Sequence, residues 1–495
     1  MGIAKIYSIL FPQNPFCKKQ IRTISWVLYS IYICLFIYFS LHHCRWFDET
    51  QAWLIARETN PLNLLAAIRY EFHPVLWYLV LMLPAHVLSF ASMTLVTTIL
   101  VAISFYMLLF KAPFHWTIRF LLPLTYFIFY QYGIIARSYV LFITLSLLAA
   151  ATFPNRFRGN GFFVSVLLLL TLELHSLMVG VGLMLAFGLE VGRMLVREKR
   201  SLRSVRPYLV QIAAAAVLAL GVIVLSLPAG PTYFTGLVPP VVVNLRRLYM
   251  LATESLFSVN TFWMNRFVDA APHWFTWQNA LALTASGAFY GLLFFFARKK
   301  GVLAYVLLPL VLLGGALAVL YANSYHMGLL VPVLLFSSWI ALDGVTWTAC
   351  RAPRALAAFS LVGLALMVVQ INWTVMGLCY EYHYPYSGLP ALADYIKEHD
   401  IHDIAVDNIN CFGVNAYFPK NIYRNVQGDI PYFVFSKTSN MLPIQGSPRY
   451  IVSNYSYVRP KAYYRVRSFF PGAIHNKGYS VSHDDTFTLY ERLPH

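Results

Sequence analysis

Long apolar stretches separated by short polar loops occupy most of this 495-residue chain. Such runs predict helices that cross a lipid bilayer, because about 20 residues of α-helix span its hydrocarbon core. We expect helices at residues 24–43, 74–90, 92–110, 120–133, 138–153, 161–174, 176–192, 207–227, 279–296, 302–320, 327–343 and 356–377. The pattern predicts a polytopic α-helical membrane protein.

The first apolar run is preceded by basic residues, Lys5, Lys18, Lys19 and Arg22. It ends in HHCRWFDE, whereas a secretory signal has a shorter apolar core and a cleavage site of small residues. We therefore expect an uncleaved membrane anchor with a cytoplasmic N-terminus.

Lysine and arginine gather in five later loops, which the positive-inside rule assigns to the cytoplasm. These loops are residues 111–119, 156–158, 193–206, 298–300 and 351–354. Twelve full crossings would place 111–119 outside, against that rule. We therefore interpret 74–90 as a half-inserted or interfacial helix that opens at Pro74, where proline suits the first helical position. About eleven transmembrane helices then remain, with the N-terminus inside and the C-terminus outside.

The same count predicts which polar segments face outward. They are 44–73, Arg137, His175, 228–278 and 321–326. After residue 380 the sequence becomes polar and rich in tyrosine, as in an ordinary globular domain. SGLPALADYIKEHD predicts a helix, and IHDIAVDN and TFTLYERL predict strands. We expect a membrane domain at 1–379, with interfacial helices in its first outer loop, and a small extracytoplasmic α/β domain at 380–495.

Composition excludes several classes of protein. With 59% hydrophobic and 12% charged residues, the chain does not suit a soluble globular protein. The net charge of +17 is dispersed among loops, which argues against nucleic acid and favours contact with anionic lipids or a phosphate-bearing substrate. No P-loop or GxGxxG segment is present, so a nucleotide-driven machine is not expected.

The six cysteines show no CxxC or Cys/His spacing, so they indicate no metal site. Cys379 and Cys411 could form a disulfide if both lie on the oxidising side. The alternative is a pair of unrelated thiols.

The first outer loop concentrates titratable residues. Asp48 and Glu49 begin it, and Glu71 and His73 end it. Asp48 and Gln51 have capping-box spacing, so Asp48 could simply cap a surface helix that runs to Arg57. A cap needs no second acidic and imidazole pair nearby, and this favours a chemical role.

Other candidate residues lie in later outer segments. Arg137 gains nothing from the positive-inside preference, so it either snorkels to the headgroups or binds a phosphate or carboxylate. His175 follows Glu173 and either bonds locally or joins a site. Arg246 and His326 could supply positive charge and stacking faces to an anionic lipid-linked substrate.

Four segments together carry a family resemblance. They are the acidic residues after the first span, EFHPVLWY, ARSYVL and SGLPALADYI. The chain resembles bacterial membrane glycosyltransferases of the GT-C fold, a group that includes protein O-mannosyltransferases and lipid A aminoarabinose transferases. The resemblance implies a multi-pass enzyme of the bacterial inner membrane whose donor is a sugar on a polyprenyl phosphate. The acceptor would be a lipid, a glycan or a protein.

The resemblance also implies roles for residues. The catalytic base of the group is an acidic residue of the first outer loop, which by position is Asp48, with Glu49 as the second choice. The candidate residues for binding the donor phosphate or the substrate in such an enzyme are Arg137, His175, Arg246, His326, Glu71 and His73. Val75 replaces a proline that is usual in the family, and Arg137 stands where several relatives carry an acidic residue. The need for a divalent cation stays open.

Two other classes share some of these features. A lipid flippase would also have many spans and no ATP motif, but it commonly shows a repeated span pattern, which is absent here. A non-catalytic scaffold with a periplasmic binding module would leave envelope glycans unchanged when Asp48 is replaced.

The predicted topology is testable at residue 400. In a cysteine-free background, we expect Asp400→Cys to react with a membrane-impermeant maleimide added to intact cells, because the C-terminal domain should lie outside. Labelling only after the cells are permeabilised would place the domain in the cytoplasm and contradict the eleven-crossing topology.

Overall fold

The protein folds into a helical membrane region followed by a small sheet. The structure, a computed structural model, describes residues 7, 9–11, 17–71, 73–228, 230–232, 256, 277–319, 324–345, 354–454, 464–476 and 480–493. The α-helices of the membrane region are α1 Lys18–His42, α2 Phe47–Glu58, α3 Leu64–Ala67, α4 Leu76–Val87, α5 Met93–Tyr106, α6 Trp116–Leu121, α7 Tyr139–Thr152, α8 Gly161–Leu172, α9 Leu174–Val196, α10 Leu202–Ser226, α11 Trp277–Lys300, α12 Leu303–Val319, α13 Leu330–Leu342 and α14 Arg354–His383. Two π-helical stretches, Met107–Lys111 and Phe127–Ile134, continue the path after α5 and α6.

Each predicted apolar run contains helix, so the fold class is confirmed. Seven of the described helices are long and apolar enough to cross a membrane. Four further apolar helices are shorter: Leu76–Val87, Tyr139–Asn155, Gly161–Leu172 and Leu303–Val319. The number of crossings stays a prediction.

The loops between the helices lie at two opposite ends of the bundle. At one end lie two of the basic loops, since the Tyr208 hydroxyl donates to the Phe157 carbonyl of 156–158 at 3.0 Å and the Lys300 ammonium of 298–300 donates to the Asp343 carbonyl at 2.7 Å. At the opposite end of the same bundle, His43 after α1 touches Glu381 near the end of α14. The candidate residues of the first outer loop therefore lie at the end away from the basic loops, as the charge pattern predicts.

Helix α4 begins and ends beside the first outer loop, residues 44–73. Before it, Glu71 accepts a hydrogen bond from Gln51 at 2.9 Å. After it, Thr94 accepts one from Arg45 at 2.7 Å. Its 12 residues extend about 18 Å, well short of a bilayer core of about 30 Å. This geometry supports the interpretation of 74–90 as a helix that does not cross.

The C-terminal residues form the predicted α/β unit. Helix α15 (Leu389–Glu398) precedes strands β1 Ile404–Val406, β2 Tyr450–Asn454, β3 Tyr464–Phe470, β4 Ile474–Asn476, β5 Ser480–Ser482 and β6 Phe487–Arg492. The main sheet has the order β1-β2-β6-β3, with β1 and β2 parallel and the other pairs antiparallel. The predicted helix and both predicted strands are thus confirmed. The boundary expected at 380 falls inside α14, which continues to His383.

Helix α2 is packed between the two parts of the chain. Phe47 belongs to the core of the C-terminal unit together with Leu389 and Phe487. The Gln51 side chain donates to the Phe433 carbonyl at 2.7 Å and accepts from its amide at 3.0 Å. The prediction that this helix lies on the outer surface is wrong, because the C-terminal unit covers it.

Both cysteines considered for a disulfide are free thiols. Cys379 is exposed on α14, whereas Cys411 is buried in the C-terminal unit. The alternative of two unrelated thiols is therefore the correct one.

Close contact of α9 with α12 depends on Gly182. A Cβ added there would lie 2.6 Å from the backbone nitrogen of Pro309. We expect Gly182→Ala to lower the thermal unfolding midpoint of the purified protein in detergent, since overpacking costs about 1–3 kcal/mol. Gly192→Ala on the same helix is the matched control, because nothing lies within 4 Å of its Cβ position. Equal midpoints for the two variants would contradict the predicted contact.

Candidate active site

The candidate site begins at the N-terminus of α2. Trp46 is the N-cap residue, and the carboxylate of Glu49 closes back onto the Trp46 amide at 3.2 Å. Asp48 occupies the second helical position, where a carboxylate also interacts favourably with the helix dipole. The reading of Asp48 as the N-cap is therefore wrong, and its side chain is left for another partner.

That partner is Arg137. The two side chains form an ion pair although they lie 89 residues apart. The Asp48 side chain is 27% exposed and that of Arg137 14%, so the pair lies at an opening. The rings of Tyr139 and Tyr325 flank the guanidinium at 5.2 and 5.7 Å from their centroids. The carboxylate in this arrangement can be reached from solvent, while its cation is held by aromatic faces.

A π-helix brings Arg137 to this place. Residues Phe127–Ile134 are all buried and wind more widely than an α-helix. Gly133 permits this, because a Cβ there would lie 2.8 Å from the Ile128 carbonyl oxygen and 3.0 Å from the Phe36 ring. The chain then leaves the helix as a turn that contains Ala136 and Arg137. π-Helical turns are frequent at functional sites.

The structure brings the two ends of the first outer loop together. Glu71 accepts a hydrogen bond from Gln51, one turn after Asp48, and the His73 ring bonds the Glu71 carbonyl at 2.7 Å. Burial raises the pKa of Glu71 to about 8, and the negative charge of Asp48 acts in the same direction. Glu71 is therefore a neutral acid near pH 7.

A second buried carboxyl lies on the other side of Arg137. Glu173 accepts a hydrogen bond from Ser138 at 3.0 Å, and burial raises its pKa to about 8. His175 lies two residues later, and its ring contacts that of His326 at a tilted angle with centroids 5.1 Å apart. His326 also contacts the Tyr139 ring edge-on at 6.1 Å. Arg137, His175 and His326 thus belong to one cluster.

Glu49 differs sharply from its neighbour Asp48. Its Oε1 accepts from Arg45 at 2.6 Å and from the Ala136 amide at 2.7 Å. Its Oε2 faces His43 Nε2 at 2.9 Å as well as the Trp46 amide. Burial would raise the pKa of Glu49, but the charges of His43 and Arg45 lower it to about 2. Glu49 is a saturated anion with no exposed surface and no oxygen left for a substrate.

The pKa of Asp48 reflects effects that oppose each other. Burial raises the pKa above its ordinary value, while the Arg137 guanidinium lowers it and the Glu49 charge raises it further. The ion pair with Arg137 favours the carboxylate form of Asp48 and so opposes the effect of burial.

The C-terminal unit adds a carboxyl that sequence reasoning missed. Asp485 has no exposed surface, and neither of its carboxyl oxygens meets a hydrogen-bond partner among the described residues. Burial raises its pKa to about 8, and the charges of Asp48 and Glu49 act in the same direction. No spacing in the sequence marks Asp485, because the carboxylates near it, Asp48 and Glu49, belong to the opposite end of the chain.

One expected residue cannot be placed. Arg246 lies outside the described residues, as does most of the segment 228–278. Among the residues that the structure describes, no group of three or more His, Cys, Asp or Glu side chains could hold a metal ion.

Comparisons with known proteins give one structural likeness. No protein family model matches the sequence, and no curated protein matches it. The chain is similar to ArnT from Cupriavidus metallidurans, whose crystal structure contains undecaprenyl phosphate, with 12% identity and a TM-score of 0.48. The match covers 95% of this chain and 97% of that one. At this identity and score the likeness says nothing about the residues of the site.

The carboxyl of Asp485 predicts a pH-dependent stability. Its pKa is about 8 in the folded protein against an ordinary 3.8, so the folded state retains a proton that the unfolded chain loses. Its contribution to stability is complete below about pH 4, falls as pH rises, and is lost above about pH 8. We expect Asp485→Asn to raise the unfolding midpoint relative to wild type at pH 8 and much less at pH 5.

Asp394→Asn on α15 is the matched control, because Asp394 is exposed and does not act on the pKa of Asp485. Identical midpoints for wild type and Asp485→Asn across this pH range would show that Asp485 is not buried as a neutral acid.

Proposed function

We propose that this protein is a membrane glycosyltransferase that moves a sugar from a polyprenyl-phosphate donor to an acceptor hydroxyl at the outer face of the membrane. The observation that carries the proposal is the Asp48–Arg137 pair: an accessible carboxylate beside a guanidinium, at the end of the bundle away from the basic loops. A base and an anion-binding cation side by side are what transfer from a phosphate leaving group requires.

In the proposed reaction Asp48 is the general base. It accepts the proton of the acceptor hydroxyl while that oxygen forms a bond to the anomeric carbon of the sugar. The bond between the anomeric carbon and the phosphate oxygen breaks, and its electron pair leaves with the polyprenyl phosphate. A single in-line displacement of this kind inverts the anomeric configuration.

Arg137 stabilises the departing phosphate in this scheme. Guanidinium groups bind phosphate oxygens through two parallel hydrogen bonds, and Arg137 is always charged. His175 and His326 lie beyond Tyr139 and add donors on the same side. We assign Arg246 to the same anion-binding group on the sequence pattern.

The ion pair also suggests an order of events. Without a donor, Asp48 and Arg137 neutralise each other. A donor phosphate would compete for the guanidinium and so weaken its hold on the carboxylate. The pKa of Asp48 would then rise, which makes Asp48 a better base when the donor is present. Binding of the donor would thereby activate the site.

The neutral carboxyls fit a role in binding hydroxyl groups. Glu71 and Glu173 are protonated near pH 7, so each can both donate and accept a hydrogen bond. Sugar hydroxyls need both kinds of partner. Glu49 has no such freedom, and we assign it a structural role in place of the catalytic alternative expected from the sequence.

The direct test is mass spectrometry of envelope lipids and glycans. Cells with the wild-type gene should contain a sugar-bearing species that is absent from cells lacking the gene. We expect Asp48→Asn to abolish it, because the amide cannot accept the proton, with a loss of roughly 100-fold or more.

Glu58→Gln is the matched control, since Glu58 ends the same helix and pairs only with Arg57 at the surface. The control should retain the product. Identical profiles in wild-type, Asp48→Asn and deletion cells would refute the proposed function.

A further inference from the structure

A buried imidazole joins the first span to the last. His43 follows α1, and its side chain has no exposed surface. Its Nδ1 lies 2.9 Å from an oxygen of Glu381 and its Nε2 lies 2.9 Å from an oxygen of Glu49. A neutral imidazole can donate through only one nitrogen, whereas the imidazolium donates through both. The geometry therefore favours a charged His43 between two carboxylates.

The charge balance around His43 agrees with this. Burial alone would lower the pKa of His43, but the two carboxylates raise it to about 9. Arg45 supplies a second cation to Glu49 at 2.6 Å and is itself held by Thr94. The Tyr130 hydroxyl donates to Glu381 at 2.8 Å. The cluster is a network of paired charges with nearly all of its groups bonded.

The network reaches the proposed site through Glu49. Glu49 is adjacent in sequence to Asp48, and it accepts a hydrogen bond from the amide of Ala136, which is adjacent to Arg137. A single carboxylate thus fixes the backbone beside both members of the Asp48–Arg137 pair. A shift of Glu49 would move the base and its cation relative to each other.

We propose that His43 is a positioning residue for the active site, where its protonated ring holds Glu49 and, through Glu49, sets the geometry of the Asp48–Arg137 pair. His43 touches neither member of the pair in the described contacts, so its effect is indirect. This inference rests on the proposed function, because the pair matters only if Asp48 is the base.

The test compares two adjacent histidines. His43→Gln removes the charge and one of the two donors. His42→Gln is the matched control, because His42 is exposed and its described contacts, a hydrogen bond and a ring contact, are both with Tyr38 of its own helix. Intact cells are grown at medium pH 5.5 to 8, and the rate of formation of the wild-type-dependent sugar-bearing species is measured by mass spectrometry.

We expect His43→Gln to slow product formation roughly 10- to 100-fold at neutral pH, as misplaced reacting groups do. The acidic limb of its pH profile should move to higher pH. Loss of the imidazolium would leave Arg45 as the cation beside Glu49, and the extra negative charge would raise the pKa of Asp48. The groups that face His43 and define this field are Glu49, Glu381, Arg45, Tyr130 and Tyr386. His42→Gln should match wild type.

The possible results separate the two proposals. If folded His43→Gln shows the wild-type rate and pH profile while Asp48→Asn is inactive, the role of His43 is overturned and the proposed function stays intact. An active Asp48→Asn would refute the proposed function itself. If His43→Gln does not fold, His43→Lys decides, because lysine keeps the charge and can donate to both carboxylates. Folded His43→Lys should form product, and a folded but inactive variant would contradict the proposal.

Discussion

The carboxylate of Glu49 is the interaction on which the rest of the site depends. It accepts hydrogen bonds or ion pairs from four groups, three of them within residues 43–46 and the fourth, the Ala136 amide, far along the chain. A buried carboxylate without partners would be strongly unfavourable, so these partners must be present for α2 to occupy its place. The helix start, the end of the first span and the turn before Arg137 are thereby fixed together.

This constraint explains why two adjacent acidic residues have different properties. Glu49 faces inward and is saturated, whereas Asp48 points to an opening and meets a single cation. A single residue step along the helix therefore separates a group that holds the structure from a group that can take part in chemistry. Environment rather than residue type divides the two roles.

The sequence predicts the helices well because the bilayer imposes a simple requirement. Every backbone polar group in hydrocarbon must be bonded internally, so long apolar runs become helices wherever they occur. The helix and two strands of the C-terminal unit were predicted from the spacing of their apolar residues, as in soluble proteins. The location of Arg137 and His175 at the end of the bundle away from the basic loops also followed, because loop charge and crossing parity assign each loop to one end of the bundle.

Contacts between distant residues could not be predicted in this way. The spacing of Asp48 and Gln51 suggested a cap, but Glu49 performs that function from the third helical position. His43 and Glu381 lie 338 residues apart, and nothing local marks them as partners. A weak signal did exist for Arg45, which precedes Glu49 by four residues, the spacing of a helical ion pair.

The central claim is that sugar passes from a polyprenyl phosphate to an envelope acceptor through this protein, and a pulse-chase measurement tests it most directly. Cells are given a short pulse of isotopically labelled sugar, and label is followed in the polyprenyl-phosphate fraction and in the envelope glycans and lipids. We predict that label leaves the polyprenyl-phosphate fraction and enters one envelope species only in cells that contain the protein. Transfer at the same rate in cells that lack the protein would contradict it.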